Sequence, residues 1–130
     1  MDETHAATAT REAVDVLRQA GARFAYLHGS YAVGRQQPDS DIDIAAYFGG
    51  PVPPNSFDIL LPIGVDLLVL DKAPLELAGR VAAGGRLLFE EDRAARVHWE
   101  AMRRKIDFDE LPRITRAHRE FVAALLSRSA

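Results

Sequence analysis

The triplet Asp41-Ile42-Asp43, at the head of the apolar run "DIDIAAYF", constrains this chain more than any other feature. Side chains alternate along a strand, so Ile42 and Ile44 fall on one face while Asp41 and Asp43 project from the other, about 7 Å apart along the chain. Two carboxylates so placed repel each other. A buried or half-buried pair raises one pKa and costs stability unless a cation sits between them. Oxygen-only ligation favours Mg²⁺, held by one or two carboxylates with substrate phosphates and water completing its shell. Asp66 opens a second apolar run, "VDLLVLD". It reaches the same cation if its strand neighbours the first.

Gly29-Ser30 supplies the complementary half. It falls between the strand-like "RFAYLH" and "SYAVG", which reads as a helical turn closed by Gly34. Free backbone N–H groups and the helix dipole favour an anion there, glycine lets a phosphate approach the backbone, and the serine hydroxyl donates one more hydrogen bond. A phosphate cradle beside a carboxylate cation site is what nucleotidyl transfer requires.

The rest of the chain arranges itself around these segments. A first helix is expected within residues 8–20, with Ala13, Val14, Leu17 and Ala20 on one stripe and Gly21 as the stop. "RQQPDS" is a loop before the Asp-Ile-Asp strand. Residues 49–64 hold four of the seven prolines and three of the nine glycines, so they form a loop or a distorted edge segment. "VDLLVLD" is the third strand, "APLELAGRVAAGG" a helix with Pro74 in its first turn, and "RLLFEE" the fourth strand. From Asp92 the pattern is helical, with a break near "DFDELP". The expected fold is an α/β chain of the α+β type: one domain over 1–130, core about 10–92, with a small mixed sheet flanked by helices and a helical segment over about 92–128.

Composition excludes several classes of function. Sixteen basic against nineteen acidic residues give a net charge of −3, which argues against broad, direct nucleic-acid binding. No cysteine is present, so there is no disulfide framework or thiolate metal site. The first residues are not a signal peptide and no run spans a bilayer, which predicts a cytoplasmic protein without membrane contact. His28, His98 and His118 have no metal-ligand spacing, and Arg35 reads as a solvated loop charge. Tyr31 and Tyr47 flank the site as stacking or packing groups. Glu90 to Asp92 mark a helix start and Arg103 to Lys105 a basic helix end.

"GS", ten residues, then "DID" resembles the signature of the polymerase-β-like nucleotidyltransferase superfamily, and "GSYAVGRQQPDSDIDIAAYF" resembles its minimal nucleotidyltransferases (MNT). The resemblance continues through "VDLLVLDKAPLELAGRVAAGGRLLFEED" and covers roughly residues 10–92. It implies that Asp41, Asp43 and Asp66 are the catalytic and Mg²⁺-binding carboxylates, holding two ions, and that Gly29, Ser30 and Ser40 bind the nucleotide. It also implies that ATP is the donor, and that a HEPN-domain RNase toxin is the partner, adenylylated on a tyrosine and so neutralised by this antitoxin. Two positions depart from the usual pattern: Val33 stands where an arginine is common, and His28 where an aromatic often precedes Gly-Ser. Other readings stay open. They are an antitoxin that works by binding alone, and a transferase acting on a small-molecule antibiotic or on RNA; about 38 residues follow Asp92, which leaves little room for a drug-binding helical domain.

Overall fold

In a computed structural model of the chain, the described residues are 3–29, 34 and 41–103. Ser30, Tyr31, Val33, Arg35 and Ser40 lie outside them, as do residues 104–130, where the "DFDELP" break, Lys105 and the last helix are expected.

The first helix, α1 (Glu3–Gln19), starts well before residue 8. Ala6 and Ala9 extend the buried stripe of Ala13 and Leu17 by two turns, and the hydroxyls of Thr8 and Thr10 bond back to the carbonyls of Thr4 and Ala6 at 3.0 and 2.8 Å. Ala20, expected on that stripe, is exposed, because the helix has already ended. Gly21, at φ +93°, makes the turn, and Ala22 N–H caps the carbonyl of Leu17 at 2.9 Å.

Four strands follow: β1 (Phe24–His28), β2 (Ile42–Tyr47), β3 (Val65–Val69) and β4 (Arg86–Glu90). Helix α2 (Leu75–Gly84) precedes β4, with Pro74 just ahead of its first turn rather than inside it. A further helix, α3, occupies residues 93–103. The sheet runs β3-β2-β1-β4; β1 is antiparallel to both its neighbours, and β2 and β3 are parallel. It is the mixed sheet of an α+β fold.

Strand alternation splits the core in two. On one face, Ala25, Leu27, Ile42, Ile44, Ala46 and Val69 pack against α1. On the other, Phe24, Tyr26, Ala45 and Leu70 pack with Ala78 and Val81 of α2 and Trp99 of α3. Because β2 and β3 are parallel, the chain must cross between them, and residues 48–64 do so with only a short 3₁₀ turn at Ser56–Asp58. Ile59 and Leu61 pack on the α1 side of the core, so the crossover passes over that face. Asp71 ties its start to the end of β3: the carboxylate accepts the N–H groups of Phe48 and Gly49 at 3.0 and 2.8 Å.

Helix α3 is fastened to the second face by polar groups. The Asp92 side chain accepts the Ala95 N–H at 2.9 Å, an N-cap. Arg96 pairs with Glu90 of β4 and with Glu100, and Glu100 accepts the hydroxyl of Tyr26. The acidic run at Glu90–Asp92 thus marks a helix start, as its sequence suggests.

Candidate active site

The face shared with α2 and α3 is built of three rows running across the sheet. Phe24 lies opposite Tyr47, and Tyr26 opposite Ala45, which pairs with Leu68. His28 lies opposite Asp43, which pairs with Asp66. The first two rows are apolar. Phe24 stacks on Tyr47 with ring centroids 5.0 Å apart, and Trp99 closes over Phe24 and Tyr26 at 5.7 and 5.8 Å. A cavity of about 540 Å³, lined by Arg23, Tyr47, His98, Trp99 and Arg103 among others, lies at that end. Tyr47 therefore packs, and does not flank the acidic residues.

The third row is polar. Ile42 and Ile44 are fully buried and lock β2 in register, so a slip of one residue would turn both into the opposite face. That register fixes Asp43 in the middle of the sheet, with the parallel strand setting Asp66 beside it. The Ile42 N–H to the Gly64 carbonyl, at 2.8 Å, holds the two strand starts together. Asp41 immediately precedes β2 and is exposed, as is Asp66, whereas Asp43 is half-buried.

Asp43 feels this company. Burial raises its pKa, the imidazole of His28 opposes that, and the charges of Asp66 and Asp41 raise it further. His28 is pushed the other way: burial lowers its pKa, and Asp43 only partly offsets this. Gly29 follows directly, at φ +72°, a conformation that side chains rarely adopt. A Cβ there would collide with the Oδ2 of Asp43. The Gly29 backbone therefore lies against this carboxylate.

The structure brings Gly29, Asp41, Asp43 and Asp66 to one end of one face, as the sequence spacing suggests. Among the described residues no three acidic or imidazole side chains already converge on a metal position. The donor set nevertheless fits a hard divalent cation: it consists of carboxylate oxygens, their mutual repulsion is what such an ion relieves, and Gly29 leaves the space open. The sequence gives His28 no metal-ligand spacing with the other histidines. Alternation along "FAYLH", folded back against "IDIAAY", is the signal that places it in the acidic row.

The architecture is found in solved complexes. The chain superposes on a toxin–antitoxin solved with AMP-PNP (TM-score 0.60, 22% identity, 84% of this chain and 98% of that one). It also superposes on a toxin–antitoxin MntA-HepT (TM-score 0.55, 19% identity, 86% and 98%). A third is a tri-AMPylated Shewanella oneidensis HEPN toxin in complex with MNT antitoxin (TM-score 0.57, 18% identity, 86% and 98%). No curated protein matches the chain at a significant level. The family model for polymerase beta nucleotidyltransferases matches residues 12–94, a span that runs from α1 through the acidic row to the start of α3. The chain belongs to the polymerase beta nucleotidyltransferase family.

Proposed function

We propose that this chain is an antitoxin that transfers AMP from ATP to a hydroxyl, a tyrosine by the family resemblance, of a HEPN-domain toxin and so neutralises it. The observation that carries the reading is the pairing of Asp43 with Asp66 across parallel strands, with the Gly29 backbone against Asp43. The tri-AMPylated toxin held by an MNT antitoxin of the same fold supports the choice of acceptor.

In this reading Ser30 and Ser40, with the turn at Gly29, hold the triphosphate. Asp41, Asp43 and Asp66 would hold Mg²⁺, which when bound supplies positive charge to the phosphates and the acceptor oxygen. Asp43, half-buried between its neighbours, is fixed in place. Asp66 is exposed on an edge strand of the described sheet and takes the acceptor proton. The acceptor oxygen bonds to the α-phosphorus, the bond to the β-phosphate bridge breaks, and pyrophosphate leaves.

The crossover gives the partner a surface. Val52, Phe57, Leu60 and Ile63 are 83–94% exposed, although Ile59 and Leu61 between them turn inward. Such a stripe of large apolar groups marks an interaction site. It also favours a second reading, in which the toxin is neutralised by binding alone. The two separate by pyrophosphate release. The transfer reading expects release from ATP only when toxin is present, and none from Asp41→Ala/Asp43→Ala. Neutralisation without any release would establish the binding reading instead.

A further inference from the structure

His28 completes a row with the two carboxylates that the fold places side by side. It faces Asp43 across the β1–β2 pair, Asp43 faces Asp66 across β2–β3, and all three project from the same face. The imidazole is half-buried at the last residue of β1, next to the Gly29 turn. Among the described residues its neighbour is the charge of Asp43, and it makes no hydrogen bond. An aromatic ring at this position would bring an apolar face to the acidic row. An imidazole brings a nitrogen lone pair.

We propose that His28 is a nitrogen ligand in the carboxylate cation site, so that this chain selects Mn²⁺ over Mg²⁺ more strongly than a set of carboxylates alone. The inference rests on the nucleotidyl-transfer reading above and refines which ion serves it. Mg²⁺ keeps oxygen ligands and dehydrates reluctantly, whereas imidazole suits the transition metals and Mn²⁺ accepts both donor types. Reach permits it. The His28 and Asp66 backbones stand two strand spacings apart, about 9.6 Å. Metal bonds to nitrogen or carboxylate oxygen add about 2.1 Å beyond each side chain. A cation over Asp43 is therefore within the span of the two outer residues, although the side chains do not converge on one position as they stand.

Mn²⁺ also supplies the test, because its unpaired electrons report a bound ¹⁴N directly. The full chain would be titrated with Mn²⁺ in the presence of the unreactive donor α,β-methylene-ATP, and the bound ion examined by pulsed electron paramagnetic resonance. The proposal expects an imidazole nitrogen coupling in the wild type and none in His28→Phe. It also expects Mn²⁺ affinity to fall about tenfold in that variant, with Mg²⁺ affinity, measured by competition, within about twofold. The wild-type spectrum does not depend on how the variant folds. Bound Mn²⁺ with no nitrogen coupling would overturn the proposal and leave the transfer reading standing. Failure to bind either ion, together with no toxin-dependent pyrophosphate release, would overturn both.

Discussion

Asp43 pays for its position in the ionised state, being half-buried and flanked by Asp41 and Asp66. A carboxyl whose folded pKa is raised binds its proton more tightly in the native chain than in the unfolded one. Its ionisation therefore destabilises the fold, progressively as pH rises from the ordinary carboxylate range through the raised value, and fully above it. In chelator-treated protein, Asp43→Asn should raise the Tm at neutral pH, with the gain vanishing in acid below the ordinary carboxylate range; a thermal melt series in pH reads this. In the proposed site the same substitution removes a charge from the cation's carboxylates and should lower transfer by about 100-fold. Gly29→Ala combines an unfavourable φ with a collision against Asp43. It should cost about 1–2 kcal/mol in denaturant unfolding and reduce transfer as well. At this site the aspartates were legible from sequence because Gly-Ser, Asp-x-Asp and a third aspartate opening an apolar run occur together, whereas an Asp-x-Asp alone is common. His28 was not, because its meaning depends on which residue a neighbouring strand sets opposite it.

At the scale of elements, the site is only as well placed as the strands that carry it. Ile44 follows Asp43 on β2 and is fully buried on the opposite face, and Ile44→Ala should destabilise by about 2–5 kcal/mol in urea unfolding, with activity lost as the register loosens. Strand identities and most boundaries could be read from periodicity. The start of α1 could not, because alanines at residues 6 and 9 are weak as a hydrophobic signal and become a stripe only against the sheet. The neighbouring of β2 and β3 was likewise conditional in the sequence. Parallel pairing leaves no local mark, and the crossover that achieves it is a proline-rich stretch without a helix. Its anchor, Asp71 on the Phe48 and Gly49 amides, links residues 22–23 positions apart, which no local pattern reveals.

Across the whole molecule, the two ends of one sheet face are given different work. One end is closed by Trp99, Phe24 and Tyr26 under α3, and the other presents the acidic row. The opposite face is covered by α1 and the crossover, whose outward side chains remain exposed. Leu60→Asp with Ile63→Asp should leave stability within about 0.5 kcal/mol per site, because both groups are over 90% exposed, yet weaken capture of the toxin. Thermal melts and co-purification measure the two effects separately. If both survive unchanged, the crossover is not the docking surface.

Transfer to the toxin is read by the intact mass of a HEPN toxin incubated with this chain, Mg²⁺ and ATP, set against the same reaction with Asp41→Ala/Asp43→Ala. The toxin should gain mass in whole AMP units with the wild type alone, and its RNase activity should fall in step. A toxin of unchanged mass that is nonetheless silenced, or one modified equally by the double variant, would contradict the proposed transfer.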